Sequence, residues 1–142
     1  MVVRPIDQAD IAPATGLLAQ LGYPMSETEV TRRLQVVRAA HGHRVWVADD
    51  GGQVVGLLHA FFRAALDKPP EVVVQALVVD ASRRSQGIGE QLMQIAEQWA
   101  RESGSATVAL YSGVQRMDTH RFYERLGYAK AGTSHLMRKV LP

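Results

Sequence analysis

The chain contains no cysteine among its 142 residues. That absence excludes disulfide bonds, thiolate metal ligands and a cysteine nucleophile, so a covalent acyl intermediate would need another residue, such as serine. Aromatic residues make up only 6% of the sequence. They are not interleaved with basic residues in the way that binding of single-stranded nucleic acid requires. We therefore expect neither a bound metal ion nor a nucleic-acid partner.

Long apolar runs and long runs of one charge are also missing. No stretch approaches the ~18 consecutive apolar residues that a membrane span needs. The first residues, 1–7, reach an acidic side chain too early for the apolar region of a signal peptide. The net charge is only +2, from 16 basic and 14 acidic residues. We expect a protein with no membrane partner, located in the cytoplasm.

What the sequence does contain is enough apolar material for one core. The apolar fraction is 46% and the charged fraction 21%, which is typical of a globular domain. No internal repeat, low-complexity segment or linker divides the chain. We expect a single domain over residues 1–142.

Capping and turn signals divide this domain into alternating helices and strands. Ser26-Glu-Thr-Glu29 is a capping box that opens a helix, and Gly22 is a natural helix stop. Asp49-Asp-Gly-Gly52 lies between two apolar runs and predicts a hairpin. The predicted order is strand 2–6, helices 10–21 and 26–41, strands 44–49, 53–63 and 71–79, helix 88–102, strand 106–111, helix 117–126, and terminal strands 129–133 and 135–140.

The most informative segment is the turn that follows strand 71–79. Gly87 and Gly89 lack a Cβ, so successive backbone N–H groups can approach a bound oxygen, and the helix that starts near Ile88 adds its unpaired N–H donors. Arg83 and Arg84 supply charge suited to phosphate. A nucleoside-triphosphate loop would need Gly-Lys-Ser/Thr here, and a dinucleotide fingerprint would need glycine at position 92. The turn therefore predicts a pyrophosphate site of another kind.

Two ordered motifs carry a family resemblance. Arg84-x-x-Gly87-x-Gly89 after an apolar strand resembles the acetyl-coenzyme A (acetyl-CoA) signature of the GNAT-type N-acetyltransferase superfamily, Gln/Arg-x-x-Gly-x-Gly/Ala. Downstream, the segment 117–128 resembles the second GNAT signature, a helix carrying Phe-Tyr-Glu followed by Leu-Gly-Tyr. The order of the predicted elements also matches this family, and the resemblance spans the whole chain.

The resemblance implies an α/β fold with a mixed, mostly antiparallel central sheet flanked by helices, and acetyl-CoA as cosubstrate. In this fold the strand equivalent to 71–79 parts from its parallel neighbour, and the coenzyme's pantetheine arm binds the main chain in the gap. His120 and Arg116 are expected near the coenzyme's pantetheine or phosphate arm, and Arg116 stands where many relatives have Asn. The residues implied in coenzyme binding are Leu77, Val78, Val79, Arg84, Ser85, Gln86, Gly87, Ile88, Gly89, Glu90, Arg116 and His120.

The implied reaction is direct acetyl transfer to a primary amine in a ternary complex. Tyr123 aligns with the signature Tyr and is expected to protonate the leaving thiolate. Many relatives carry a Glu in strand 71–79 where this chain has Gln75, and Gln cannot take a proton. Gln75 could orient a water or bind substrate, whereas His59 on the neighbouring strand is an alternative base. Glu71 and Asp67, near the start of the strand, stay open as well.

The acceptor and the assembly are less determined by sequence. The resemblance favours a small-molecule or amino-acid-like amine, bound near 21–25 and 63–71. The second hypothesis is a non-catalytic acetyl-CoA sensor or regulatory module, which the replacement of Glu by Gln75 favours. A homodimer through the apolar segment 129–140 is expected from the family, with a monomer as the alternative.

Overall fold

The computed structural model describes residues 1–114 and 117–142, which fall into two units, 1–111 and 112–142. The first unit holds a five-stranded sheet and three helices. The fold class expected from the sequence is confirmed, because the sheet is mixed and helices flank it. Within the described ranges, no helix is long and apolar enough to cross a membrane.

Two helices follow the first strand, with ends close to those predicted. Helix α1 (Ile11–Leu21) ends at Gly22, whose φ of 112° is left-handed and suits glycine. Helix α2 (Glu27–Ala39) begins at Ser26, whose Oγ accepts a hydrogen bond from the Glu29 N–H at 3.1 Å. The predicted capping residue therefore does what its position indicated.

The sheet has the strand order β1-β2-β3-β4-β5. All neighbouring pairs are antiparallel except the last pair, β4 and β5, which is parallel. The predicted hairpin joins β2 to β3 through Gly51 and Gly52, both with positive φ, which is the requirement of a tight two-residue turn. The strands are β1 (Val2–Pro5), β2 (His43–Asp50), β3 (Gln53–Arg63), β4 (Glu71–Val79) and β5 (Val108–Leu110).

Helices cover both faces of the sheet. On one face, α1 and α2 bury Leu17 and Leu34 in one cluster with Val47, Leu57 and Val78 of the sheet. On the other face packs α3 (Ile88–Glu102). Trp46 of β2 and Trp99 of α3 are only 8% and 6% exposed and meet edge to face, with ring centroids 5.6 Å apart. Strand β2 therefore packs against α3 on this face of the sheet.

The second unit contains helix α4 (Met117–Arg125). It is followed by Gly127, whose φ of 94° is left-handed, so the helix ends close to the predicted residue 126. The predicted terminal strands 129–133 and 135–140 do not form, since residues 129–142 have neither helix nor strand. A strand exists only when its backbone is paired. In the described residues, this segment makes no backbone–backbone hydrogen bond, and Leu136 and Met137 are 79% and 88% exposed.

Candidate active site

The turn between β4 and α3 has the backbone geometry of an anion site. Ser85 and Gly87 take left-handed conformations, with φ of 63° and 81°. Gly89 instead lies in the first turn of α3, so positive φ belongs to Ser85 and Gly87 rather than to the two glycines. In the described structure, no side chain caps the N-terminus of α3. Its first N–H groups therefore lack an intrahelical partner and are available to an anion.

The two arginines of this turn have different surroundings. Arg83 forms an ion pair with Asp50 at the tip of the β2–β3 hairpin and donates from Nε to Gln86 Oε1 at 3.1 Å. That pairing lowers the pKa of Asp50. Among the described residues, Arg84 makes no ion pair and is exposed. Arg84 is therefore the cation that can turn to a ligand, while Arg83 fixes the turn against the hairpin.

Further contacts hold the start of the turn. Asp80 Oδ1 accepts hydrogen bonds from the Ser82 N–H at 2.9 Å and from its hydroxyl at 2.8 Å, and these bonds lower the pKa of Asp80. The Ala81 N–H donates to Gln20 Oε1 of α1 at 2.9 Å. At the other end of the turn, Ile88 is 3% exposed. The loop is thus anchored at both ends before any ligand binds, which reduces the entropy lost on binding.

Strand β4 has an open edge over its second half. Pairing with β5 covers only three residues of β4, from Val72 to Val74. The described structure places no strand beside 75–79 on that side, so the splayed parallel pair expected of the fold is present. Val78 is buried in the core while Leu77 and Val79 are half-buried. Since alternate residues direct their N–H and C=O groups to opposite edges, part of this main chain faces the opening.

A β-bulge in β4 lies next to the point at which β4 and β5 part. The register between β3 and β4 shifts by one residue, because His59 pairs with Ala76 while Ala60 pairs with Val74. Gln75 is therefore the extra residue of β4, without a partner on β3, and it is exposed. A bulge bends the strand and increases its twist. The sequence did not predict this irregularity, although Gln75 was singled out for its side chain.

His59, the candidate base, lies beside a second histidine. His59 Nε2 is 2.9 Å from His43 Nδ1, and the His43 ring stacks on Phe61 with centroids 5.1 Å apart. Burial, together with the nearby His43, lowers the pKa of His59 to about 4. His59 is therefore neutral at pH 7 and able to accept a proton, although it holds that proton weakly. Sequence reasoning missed His43.

The other two carboxylates considered as bases, Glu71 and Asp67, differ in their contacts and in their exposure. Glu71 forms an ion pair with Arg63 through one oxygen and accepts a hydrogen bond from the Thr107 hydroxyl at 3.0 Å through the other. Arg63 also donates to the Tyr111 hydroxyl at 3.0 Å. Both oxygens of Glu71 are thus already engaged, which argues against it as a base. Asp67 lies exposed in the loop between β3 and β4.

The second unit carries the remaining predicted residues. Tyr123 on α4 meets Phe122 and Tyr128 edge to face, with centroids 5.0 and 5.9 Å apart. His120 Nε2 lies 2.9 Å from the Gly113 carbonyl oxygen. Within the described part of the chain, its Nδ1 is buried without a hydrogen-bond partner. Arg116 lies outside the described residues.

The site residues fit a coenzyme with a pyrophosphate and a long amide-containing arm. The uncapped helix, the left-handed turn and Arg84 offer donors for phosphate oxygens. The unpaired half of β4 offers backbone groups for the amides of an extended chain. Among residues 1–114 and 117–142, no group of three His, Asp or Glu side chains is placed to hold a metal ion.

Comparison with known proteins identifies the family. The model of the acetyltransferase (GNAT) family matches residues 15–128. YhdJ of Bacillus subtilis, described as an uncharacterized N-acetyltransferase, is 29% identical over 124 residues, which are 87% of this chain and 86% of that protein. The aminoalkylphosphonate N-acetyltransferase of Salmonella typhimurium is 37% identical over 81 residues, 56% of this chain and 53% of that protein. N-acetyltransferase family 8 member 2 of Rattus norvegicus is 35% identical, but the chain spans only 41% of its length.

Solved structures agree at the level of the fold. The aminoglycoside 6′-N-acetyltransferase AAC(6′)-IG of Acinetobacter haemolyticus has a TM-score of 0.85 at 18% identity, with both chains covered completely. AAC(6′)-Iy, solved with a bisubstrate analogue of CoA, has a TM-score of 0.87 at 19% identity, with 99% of this chain and 98% of that chain covered. The chain belongs to the GNAT family. It is an acetyl-CoA-dependent N-acetyltransferase.

Proposed function

We propose that the protein transfers the acetyl group of acetyl-CoA directly to the primary amine of a small-molecule or amino-acid-like acceptor, in a ternary complex. The observation that carries this proposal is the open edge of β4 beside an uncapped, positively charged turn. The Salmonella relative named for aminoalkylphosphonate supports a small amine as acceptor. The absence of cysteine supports direct transfer, because no thiol can hold the acetyl group.

The coenzyme would be held by main-chain groups more than by side chains. We assign its pyrophosphate to Arg84 and to the backbone of 85–90, and its pantetheine arm to the main chain of 77–79. His120, with a buried Nδ1 that lacks a partner among the described residues, is assigned to the same arm. For Arg116 the assignment rests on its sequence position alone. A preformed turn of this kind binds an anion without first having to order itself.

In the reaction, the amine nitrogen attacks the acetyl carbonyl carbon, a C–N bond forms and the C–S bond breaks. The amine must first lose a proton, since its pKa near ~10.4 keeps it charged at pH 7. We assign that proton to His59, either directly or through a water oriented by Gln75. The leaving thiolate takes its proton from the phenol of Tyr123, a role that rests on the position of Tyr123 in the second motif.

The first experiment measures acetyl-CoA binding by calorimetry and then thiol release when a panel of amines is added. Binding followed by thiol release with at least one amine supports the transferase. Binding with no release for any amine would favour the alternative, a non-catalytic acetyl-CoA sensor. That alternative has one observation in its favour, namely that Gln75 stands where a carboxylate base is expected.

Tyr123→Phe tests the proposed acid separately from the binding site. The substitution removes the phenolic proton and keeps the ring, so we expect turnover to fall roughly 10²-fold while acetyl-CoA affinity is unchanged. Tyr128→Phe is the matched control, because it removes a hydroxyl from the same aromatic group and leaves the phenol of Tyr123 in place. Unchanged turnover in Tyr123→Phe would remove the assigned role.

Assembly and location are part of the same proposal. The family match runs from residue 15 to residue 128 across both units, which supports one catalytic domain over the whole chain. We expect a homodimer, because the segment 129–140 presents large apolar side chains to solvent. Light scattering on the purified protein would detect it, and a monomeric mass would contradict it. Cell fractionation would test the expected cytoplasmic location.

A further inference from the structure

The histidine pair of β2 and β3 has a geometry that the proposed function leaves unused. His43 Nδ1 and His59 Nε2 are 2.9 Å apart, and both rings are half-buried. A hydrogen bond between two neutral imidazoles needs one N–H and one bare nitrogen, so the pair shares a single bridging proton. When His59 Nε2 carries that proton, His59 Nδ1 is bare and the second nitrogen of the other ring, His43 Nε2, carries a proton of its own.

The pair lies beside the point at which β4 becomes an open edge. His59 is opposite Ala76, the residue after the bulge at Gln75. Residues directly opposite each other in a sheet project to the same face. The side chain next to His59 on this face of β4 is therefore a methyl group. At this position β4 therefore adds only a methyl group between the imidazole and the open edge.

His59 alone would be a poor base. Burial lowers its pKa to about 4, so an imidazolium at this position would lose its proton rather than keep it at pH 7. Within the described residues, no carboxylate forms a hydrogen bond with either ring, so none is placed to stabilise an imidazolium. A pair that passes a proton onward needs no such carboxylate, because neither ring has to keep a positive charge.

Apart from Glu27, which is exposed at the start of α2, the charged groups of the neighbouring elements have partners elsewhere. On the same face of β3, Arg63 is paired with Glu71, while Arg44 of β2 lies over the Trp99 ring on the opposite face at 4.9 Å. On β4, the nearby residues Gln75 and Ala76 carry no charge. Helix α1 has no charged residue. In α2, Arg38 donates to the Ile6 carbonyl oxygen at 2.7 Å, and Glu29 pairs with Arg32 and Arg33.

We propose that His59 and His43 form a two-histidine relay that carries the proton of the acceptor amine to solvent, with His43 as the positioning and exit residue. This inference rests on the proposed transferase function. The ammonium N–H bond breaks as its proton passes to His59 Nδ1, the bridging proton moves from His59 Nε2 to His43 Nδ1, and the proton on His43 Nε2 leaves to water. The amine is left neutral with its electron pair free to attack, and the pair ends uncharged with its tautomers exchanged.

His43→Asn is the test variant, because the amide can keep a hydrogen bond near the Nδ1 position but cannot pass a proton through. We expect kcat to fall roughly 10²-fold with KM and acetyl-CoA affinity unchanged. Its rate should rise with pH up to the pKa of the amine, because only amine that is already neutral then reacts. Added imidazole should restore part of the rate. His41→Asn is the matched control, since His41 is exposed and lies two positions earlier.

The double variant His43→Asn/His59→Asn should be no slower than His59→Asn alone, because residues that act through one another are not additive. Wild-type kcat and pH profile in His43→Asn, or additive losses in the double variant, would overturn the relay. Should His43→Asn not fold, a proton inventory on the wild type decides, in which the rate is plotted against the fraction of D2O in the solvent. The relay predicts a curved plot, because several protons move together, and a straight line would contradict it. Wild-type protein that binds acetyl-CoA but acetylates no amine would overturn the proposed function and the relay together, whereas active wild type with an unaffected variant overturns the relay alone.

Discussion

Gly56, in the middle of β3, packs against the start of α3, where we assign the coenzyme's pyrophosphate. A Cβ built at this position would lie 3.0 Å from Leu92 Cδ1, 3.3 Å from Ile88 Cγ2 and 3.3 Å from Ala48 Cβ. Leu92 and Ala48 are fully buried and Ile88 is 3% exposed, so none of these groups can move into solvent. Gly56→Ala therefore presses the sheet against the first turns of α3.

Overpacking of a buried site costs about 1–3 kcal/mol. Replacing glycine in a strand gives back roughly 0.5–1 kcal/mol of backbone entropy, which leaves a net loss of about 0–2.5 kcal/mol. Because all three neighbours are buried, we expect the middle of this range, about 1–2 kcal/mol. For a chain of this length each kcal/mol is worth about 3–4 °C, and Tm should fall by roughly 3–8 °C. Because Ile88 is the first residue of α3, the same displacement should weaken acetyl-CoA binding at the helix N-terminus.

Gly16→Ala is the matched control for this change. Gly16 lies within α1, and no atom is within 4 Å of its built Cβ. Alanine should therefore stabilise the helix by up to about 1 kcal/mol, with acetyl-CoA affinity unchanged. Thermal unfolding and calorimetry on the two variants measure both quantities. If Gly56→Ala is as stable as the wild type and binds acetyl-CoA equally well, the packing argument is refuted.

Three further predictions concern the site itself. Burial holds the pKa of His59 at about 4, against 6.5 for the free group, so between these values unfolded chains take up a proton that folded chains do not. The free energy of unfolding is therefore unaffected by this residue above pH 6.5 and decreases as the pH falls toward 4. Allowing for partial solvent access, the decrease is about 1–2 kcal/mol. Urea titrations of the wild type and of His59→Asn should show this decrease in the wild type alone. Arg84→Ala should weaken acetyl-CoA binding by about 10–100-fold in calorimetry, because a charge-assisted contact is removed, whereas Arg83→Ala should weaken it less; equal effects would contradict the distinction between them. Gly87→Ala meets no atom within 4 Å, but φ of 81° should cost it about 1–2 kcal/mol of unfolding free energy and also weaken acetyl-CoA binding, and a variant with wild-type stability would show that the turn tolerates a Cβ.

Local signals predicted most of the elements because their physical causes are local. The capping serine of α2, the glycine stops and the Asp-Gly hairpin each act within a few residues, and each is present in the structure. The turn before α3 was predicted for the same reason. The terminal strands failed because an apolar alternation indicates a strand only when another strand is available to pair with it.

The family signatures, the order of helices and strands as far as α4, and the glycine-containing turn before α3 were determined by the sequence alone. The environment of His59 was decided by tertiary structure. At the hairpin Asp50 pairs with Gln53, a register that would place His59 opposite Arg44. A one-residue shift between Ala48 and Asp49 changes it, so that Val45 lies opposite His59 and His43 opposite Phe61. Because side chains alternate between faces, that single extra residue brings His43 and His59 onto the same face of the sheet.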